Sequence, residues 1–514
     1  MWLRSGFLVL FCCSVIESSN ILVLFPSLAS GQQMPVTALV EALLEKGHHI
    51  TLIGPSTLQD QHANYSYAKL PSEYYSPYDA NPVLGVDLQR PVTKWELLSL
   101  VPNYVRYVES LLASDRFQRI RREIRLQNMT FDSVIVDANY ATHLSIAAEL
   151  LAGPGRKPII ALSTLPSPWI VDEHLGSFNH LSFSPSILSP YTDRMNVFQK
   201  IENWLSHTYL KYRVKSIITS SAIEHFRSEL GEKTSEVVDA SWERVDLLLV
   251  ASNSIYNYPR LYGPNVVEVG PLHIQGIPQK LSQSVKTFLD GAEKGVIYFS
   301  LGSHIRAKSL TDYVIANFLR VFAELPRGYR VLWKWESDDP VPGHPDFILT
   351  QKWVQQQSVL AHPKVKVFIT HGGLQSFQEA VHFGVPLIGI PWFADQEMTV
   401  QKIIDSGVGV KLEHSTLTSY ESIRDVVHGF LADENYATFS RNMEQLSGRS
   451  KGLTAKARDT ATFWVEYVTK IGGASHLRPS TADATLIEYF CFDIFIVVTI
   501  LAVTVVYGGP KVFP

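Results

Sequence analysis

The chain has 514 residues, of which 46% are hydrophobic and 18% are charged, and its formal net charge at pH 7 is -4. This apolar content is enough for large cores, and it excludes an intrinsically disordered, collagen-like or coiled-coil chain. The 49 Asp and Glu residues outnumber the 45 Lys and Arg residues, so no nucleic-acid partner is expected.

The first 18 residues have the layout of a secretory signal peptide, with Arg4 ahead of an apolar run from Gly6 to Ile16. A buried first strand is the weaker interpretation of this run, because a better strand candidate, Ile21–Phe25, follows at once. We therefore expect residues 1–18 to be removed and the working chain to enter a secretory compartment.

Short apolar runs alternate with helical patterns along the rest of the chain. Continuous Val, Ile and Leu runs are typical of parallel strands that are buried on both faces. Helices are predicted between the strands at Val36–Lys46, Tyr313–Glu324, Leu374–Phe383 and Tyr420–Leu431. The predicted strands are Ile21–Phe25, His49–Ile53, Ser133–Val136, Pro158–Leu162, Asp246–Val250, Val296–Ser300, Arg330–Trp335, Lys366–Thr370 and Pro386–Ile390.

This alternation predicts an α/β fold, and the length predicts two Rossmann-like, doubly wound domains that face a cleft. Turn-forming residues between Gly270 and Pro278 mark the boundary. The predicted first domain spans residues 20–270, the linker 271–284 and the second domain 285–470. A juxtamembrane segment is predicted at residues 471–489.

Residues 490–507 are apolar except for Asp493. A helix of this length spans roughly 27 Å, close to the hydrocarbon thickness of a bilayer. The sequence therefore predicts a single C-terminal transmembrane helix, a lipid bilayer as partner, and a short tail at residues 508–514. Two sequons, at Asn64 and Asn128, predict glycosylation of the lumenal part.

The densest group of polar motifs lies between Trp353 and Gln396. The predicted strand that ends at Thr370 runs into His371-Gly372-Gly373 and then into a helix. Glycines at such a turn let the backbone approach a phosphate, and a helix N-terminus favours anions. These residues alone leave two interpretations open, a nucleotide-like anion in the cleft or an ordinary turn.

The spacing of these motifs resembles the signature of the UDP-glycosyltransferases. The matching pieces are Trp353-x-x-Gln356, His371-x-Gly373, Ser376-x-x-Glu379 and Asp395-Gln396. The resemblance extends over nearly the whole chain and is greatest with the membrane-bound animal enzymes. Two residues depart from the family pattern, namely Gln355, where Pro is usual, and Gln375, where plant members have Asn.

The resemblance implies a fold of the glycosyltransferase B type, with the UDP-sugar donor on the second domain and a small lipophilic acceptor on the first. It implies neither a permanently bound cofactor nor a metal. The implied contacts are uracil on Trp353, ribose on Glu379, diphosphate on Ser303, His371 and Ser376, and sugar on Asp395 and Gln396.

The family's inverting displacement uses a first-domain His as base and an Asp that orients it. By gapless local matching from Ile21 to His48, the His position falls on Gln32, and the motif Phe131–Asp137 puts the Asp position on Asp137. An amide is not basic near neutral pH, so Gln32 cannot replace the His as general base. Loss of a general base typically costs about 10²–10⁴-fold in rate.

Three interpretations of the function of the chain stay open. The chain is a UDP-glycosyltransferase for hexoses, glucose or glucuronate, with acceptors restricted to groups that are already nucleophilic. Alternatively, it binds UDP-sugars without turnover. A surface receptor or adhesion protein is the third interpretation, and the nucleotide signature counts against it.

Donor choice and location are less constrained by the sequence. Arg260 is a candidate for meeting a glucuronate carboxylate, with a structural role as the alternative. By family resemblance we expect a type I protein of the endoplasmic reticulum membrane with lumenal catalytic domains. The plasma membrane is the alternative location.

Overall fold

The computed structural model describes residues 18–27, 29–55, 57–58, 62–70, 90–167, 169–177, 179–274, 276, 279–303, 305, 307, 310–337, 341 and 343–508. The predicted signal peptide, residues 1–18, thus lies outside the described residues except for Ser18. The predicted tail, residues 508–514, lies outside them except for Gly508.

Parallel strands form the frame of the molecule. In chain order they are β1 (Asn20–Leu24), β2 (His49–Gly54), β3 (Tyr65–Lys69), β4 (Ser133–Asp137), β5 (Ile159–Ser163), β6 (Leu247–Val250), β7 (Val266–Glu268), β8 (Gly295–Ser300), β9 (Tyr329–Lys334), β10 (Ile348–Gln351), β11 (Val365–Thr370), β12 (Leu387–Gly389) and β13 (Gly409–Lys411). One sheet has the order β3-β2-β1-β4-β5-β6-β7, and the other has the order β10-β9-β8-β11-β12-β13.

Helices connect the strands and cover both sheets. They are α1 (Ser30–Glu45), α2 (Leu97–Ala113), α3 (Asp115–Leu126), α4 (Ala141–Leu151), α5 (Val197–Leu230), α6 (Thr234–Ser241), α7 (Gln283–Asp290), α8 (Asp312–Ala323), α9 (Gln356–Leu360), α10 (Leu374–Phe383), α11 (Gln396–Asp405), α12 (Tyr420–Leu431), α13 (Asp433–Thr454), α14 (Ala457–Ile471), α15 (Leu486–Tyr489) and α16 (Phe492–Gly508). The predicted two-domain, doubly wound architecture is therefore confirmed.

Burial on both faces explains why the central strands are continuous apolar runs. Along β1, Leu22 and Leu24 belong to one core cluster. Ile21 and Val23 belong to a second cluster on the opposite face of the sheet. Because successive strand residues point to opposite faces, each sheet needs helices on both sides.

The boundaries of α1 matter for the site. This helix begins at Ser30, six residues before the predicted start at Val36. The extension places Gln32 in the first turn of α1, in the connection that follows β1. The sequence pattern predicted a helix only from Val36, so residues 30–35 are helical where no helix was predicted.

Helix α14 crosses back from the second domain to the first. Its buried residues Ala461, Val465 and Val468 pack in the same cluster as Ile21 and Val23 of β1. The hydroxyls of Ser133 and Thr469 are 2.7 Å apart, which ties β4 to α14. By sequence order the helix falls inside the predicted second domain, residues 285–470, but its packing is with the first sheet.

The predicted transmembrane helix at residues 490–507 is not supported. The segment contains α16, a helix of 17 residues. No helix in the described part of the chain combines the length and the apolarity needed to cross a membrane.

Candidate active site

A cavity of about 530 Å³ lies where the carboxyl ends of the strands in both sheets meet. This is the position at which open parallel sheets bind ligands. Gln32 lines the cavity from the first domain. All the predicted donor-binding residues line it from the second domain, namely Ser303, Trp353, Gln356, His371, Gly373, Ser376, Glu379, Asp395 and Gln396.

The carboxylate of Glu379 is held by two neighbouring amides. Gln356 Nε2 donates to Glu379 Oε2 at 2.6 Å, and Gln357 Nε2 donates to Glu379 Oε1 at 3.1 Å. The hydroxyl of Tyr298 donates to Gln356 Oε1 at 3.1 Å, which fixes the orientation of that amide. A buried carboxylate with its position fixed in this way can accept bonds from a diol in the cavity.

Trp353 supplies a flat apolar surface at one end of the cavity. Trp353 is 52% exposed and belongs to none of the core clusters of the described residues. An exposed indole face beside polar groups is suited to stacking on a planar ring.

Glycines bring the backbone close to His371. A Cβ added to Gly302 would lie 2.4 Å from His371 Cε1, and one added to Gly373 would lie 2.5 Å from His371 Nε2. Gly302 also has a φ of +81°, which favours glycine. Any larger residue at either position would displace the imidazole from the cavity wall.

Helix α10 begins directly after this turn, with Gly373 as its N-cap. No side chain in the described residues caps it, and its first turn contains no acidic residue. The first N–H groups of a helix lack intrahelical partners, and the helix dipole adds positive potential there. Because Gly373, Leu374 and Gln375 line the cavity, this helix end is suited to an anion.

Asp395 and Gln396 lie at another part of the same wall, where the loop after β12 joins the start of α11. The preceding residue, Ala394, has a φ of +56°. The side-chain oxygen of Gln396 accepts bonds from the backbone N–H groups of Trp392 and Phe393, which holds this loop. Burial raises the pKa of Asp395 to about 6.

The structure does not place Asp137 on the cavity surface. Asp137 ends β4 and is fully buried, whereas the neighbouring residues Asn139 and Tyr140 line the cavity. Its carboxylate accepts bonds from the hydroxyl of Ser27 and from the backbone N–H of Asn139, the latter at 3.0 Å. Burial raises the pKa of Asp137 to about 6, although both of these bonds lower it.

The first-domain wall is mostly apolar. Lys94 is its only Lys or Arg among the described lining residues, and its ammonium is ion-paired with Glu202 of α5. Among the described lining residues, His371 is the only histidine. The apolar residues of this wall include Leu97, Leu98, Val101, Val105, Leu165, Trp169, Ile170, Ile187, Leu188, Leu210, Val214 and Ile218.

Arg260 lies elsewhere. Its guanidinium donates to Asn179 Oδ1 at 2.8 Å and to the carbonyl oxygen of Pro185 at 2.6 Å. It is not among the described residues that line the cavity. These contacts favour the structural interpretation of Arg260 over a contact with the donor sugar.

Sequence reasoning missed Lys334, Gln357 and the apolar lining of the first-domain wall. Lys334 ends β9, and the rule that ligands meet the carboxyl ends of parallel strands points to it. The apolar lining residues come from loops and helices far apart in sequence, where nothing distinguishes them from ordinary core residues.

The described residues contain no group of three or more His, Cys, Asp or Glu side chains arranged to hold a metal ion.

The two sequons differ in their surroundings. Asn64 Nδ2 donates to the carbonyl oxygen of His48 at 2.5 Å, and this side chain is half-buried. Asn128 is exposed.

The sequence matches one family model along nearly its whole length. A model described as "UDP-glucoronosyl and UDP-glucosyl transferase" matches residues 20–513. The chain is 28% identical over 508 residues to UDP-glycosyltransferase UGT5 of Dactylopius coccus, covering 97% of this chain and 93% of the relative. It is 26% identical over 495 residues to UDP-glucuronosyltransferase 2B7 of Homo sapiens, covering 92% and 89%.

Solved structures share the fold. One is a complex of 3,4-dichloroaniline with a UDP-glucosyltransferase from Polygonum tinctorium capable of glucosylating indoxyl. It has a TM-score of 0.55 and 17% identity, over 88% of this chain and 99% of that one. The calicheamicin glycosyltransferase CalG4 has a TM-score of 0.55 and 21% identity, over 88% and 99%.

Proposed function

Because the chain belongs to the UDP-glucoronosyl and UDP-glucosyl transferase family, we propose that it moves glucose or glucuronate from the UDP-sugar to a small lipophilic acceptor. The observation that carries this proposal is the composition of the cavity. Its second-domain wall holds every predicted donor-binding residue, and its first-domain wall is largely apolar. Donor and acceptor would therefore meet in one cavity.

In the proposed reaction, the acceptor nucleophile attacks the anomeric carbon from the face opposite UDP. The bond from that carbon to the β-phosphate oxygen breaks, and its electron pair leaves with UDP. The N-terminus of α10 and the imidazole of His371 are placed to stabilise the negative charge that develops on the diphosphate. This division of roles requires no metal ion.

In this proposal, Gln32 limits which chemical groups can act as acceptors. It lines the cavity at the family's base position, where its amide can position an acceptor but cannot accept a proton. Asp137 is buried behind the wall, so it does not substitute as a base that contacts the acceptor. Acceptors that are already nucleophilic, such as amines, thiolates and carboxylates, should therefore react faster than alcohols.

Release of UDP by the purified full-length protein tests this proposal. UDP-glucose and UDP-glucuronate are each combined with a phenol, an alcohol, an amine, a thiol and a carboxylic acid. We expect turnover with at least one acceptor that ionises or is nucleophilic near neutral pH. Binding of UDP-sugar without turnover of any acceptor would instead support the second candidate, a UDP-sugar-binding protein without catalysis, which Gln32 also favours.

The proposal includes a lumenal location in the secretory pathway. The exposed sequon at Asn128 supports it, whereas the side chain of Asn64 is engaged with the carbonyl of His48. Treatment of the cell-expressed protein with an N-glycosidase checks the location. A mass shift that Asn128→Gln abolishes is expected, and an unmodified wild-type protein would argue against lumenal exposure.

A further inference from the structure

Lys334 is a buried cation that the family signature does not include. It is the last residue of β9, its side chain is 8% exposed, and it lines the cavity. Among the described lining residues, Lys94 and Lys334 are the only Lys or Arg. Lys94 belongs to the first-domain wall, so Lys334 is the cation of the second-domain wall.

Two polar contacts fix the ammonium group of Lys334. Its Nζ donates to the carbonyl oxygen of Gly302 at 2.9 Å and to Glu336 Oε1 at 2.6 Å. The other oxygen of Glu336 accepts the backbone N–H of Ala307 at 2.9 Å. An ammonium group has three N–H donors, so these contacts leave one for a ligand.

The surroundings of Nζ identify what that ligand is. Nζ lies 5.7 Å from the centre of the Trp353 ring, the surface suited to a base. It is also bonded to the carbonyl of Gly302, which packs against His371 and precedes Ser303. The ammonium group is thus near both the base platform and the turn that is suited to phosphate.

We propose that Lys334 binds the diphosphate of the UDP-sugar and stabilises the departing UDP. This inference rests on the proposed function. As the bond from the anomeric carbon to the β-phosphate oxygen breaks, negative charge grows on the diphosphate. A fixed and largely buried positive charge stabilises this charge more strongly than a fully solvated one.

Glu336 explains how a buried lysine is tolerated in the protein without its ligand. The positive charge of Lys334 is balanced by the negative charge of Glu336. Bonds to the carbonyl of Gly302 and to the backbone N–H of Ala307 fix the positions of the two groups. A buried cation without such a partner would carry a large desolvation penalty. The ammonium group is therefore in position before the nucleotide arrives and needs no rearrangement to meet it.

The test compares uridine, UMP and UDP by titration calorimetry with the full-length protein in detergent. Lys334→Met should lower UDP affinity at least tenfold and uridine affinity less than twofold, and Lys334→Arg should restore most of the UDP affinity. The control is Lys411→Met. Lys411 also ends a strand of the same sheet and pairs with two carboxylates, but it does not line the cavity.

The outcomes separate this inference from the proposed function. If the wild-type protein does not prefer UDP over uridine, the proposed donor site itself is wrong. If the wild type prefers UDP and Lys334→Met keeps that preference, the role of Lys334 is wrong. An equal loss of uridine and UDP affinity would also overturn it, because it would show that Lys334 only supports the Gly302 loop.

Discussion

At the scale of single residues, the cavity brings the proposed donor-binding residues together with Gln32. By the sequence resemblance, Gln32 takes the position of the family's catalytic histidine, and it shares the cavity with Glu379 and His371. In the proposed reaction, positioning and leaving-group stabilisation remain available, while an amide at this position supplies no general base. The identity of residue 32 should therefore affect the rate for alcohols and leave nucleotide affinity unchanged.

Replacing Gln32 by histidine tests this separation. We expect Gln32→His to raise kcat/KM for phenol and alcohol acceptors at least tenfold, because an imidazole can accept the hydroxyl proton. The rate of the variant should also rise with pH around pH 6.5, because that is the usual pKa of histidine and only the neutral imidazole accepts a proton. Gln32→Asn is the matched amide control and should gain nothing, and UDP affinity should be the same in all three proteins.

Asp395 gives a pH-dependent prediction for sugar recognition. Burial raises its pKa to about 6, so it is ionised at pH 7.5 and mostly protonated at pH 5. Because an ionised carboxylate accepts stronger bonds from hydroxyls, the affinity of the wild type for UDP-glucose, relative to that of Asp395→Asn, should fall as the pH drops through 6. Titrations of UDP-glucose into both proteins at several pH values measure this ratio, and UDP-glucose has no phosphate group that titrates in this range. A ratio that does not vary with pH would assign any pH dependence of binding to another group.

At the scale of elements, the central strands were predictable and the edge strands were not. All nine predicted strands are present within a few residues of their predicted ends. The four that were missed, β3, β7, β10 and β13, are the outermost strands of the two sheets. They are short, and residues such as those of β3 are only partly buried, so they lack the apolar runs that identify strands covered on both faces.

The residues that line the cavity also divide into those that the sequence indicated and those that it did not. The grouping of the proposed donor-binding residues in one cavity was predictable, because their motifs follow the carboxyl ends of strands in the second sheet. Lys334 and the apolar wall were not, because their proximity depends on tertiary packing between β9, α2 and α5. The position of Asp137 behind the wall also depends on a contact with Ser27 that no local pattern indicates.

The end of β4 carries a prediction for stability. Asp137 accepts the N–H of Asn139 in the turn that follows the strand, and burial raises its pKa from 3.8 to about 6. The folded state then holds the proton more tightly than the unfolded state, so the contribution of Asp137 is fully favourable below about pH 4 and is lost as the pH rises to about 6.

Asp137→Asn should remove this dependence while keeping an oxygen for the turn. The melting temperature of the variant relative to wild type should therefore increase between pH 4 and pH 7. The change corresponds to at most about 3 kcal/mol. A constant difference across this range, measured by thermal unfolding in matched buffers, would contradict the assignment.

At the scale of the whole molecule, α14 holds the two domains in one arrangement. The chain completes the second domain and then returns to the first, where Val465 is fully buried against the first sheet. Lys46 and His48 also contact Glu466 of this helix at 3.0 and 3.1 Å. The cavity depends on both domains, so this helix contributes to the site without touching it.

Shortening a buried side chain of α14 should therefore destabilise the molecule. We expect Val465→Ala to lower the free energy of unfolding by about 1–3 kcal/mol, through lost burial and the cavity it leaves. Phe463→Ala on the same helix is the control, because Phe463 is 53% exposed. Equal melting temperatures of the two variants would show that the contact of α14 with the first domain contributes little.

The claim that this cavity is the UDP-sugar site is tested most directly by the affinity of the Glu379→Ala variant for UDP. Glu379 is buried, and two amides hold it facing the cavity. Loss of its bonds to the ribose hydroxyls should lower UDP affinity at least tenfold. Glu397→Ala, in the adjacent helix α11 and outside the cavity lining, should leave that affinity unchanged. Unchanged binding of UDP by Glu379→Ala would contradict the account.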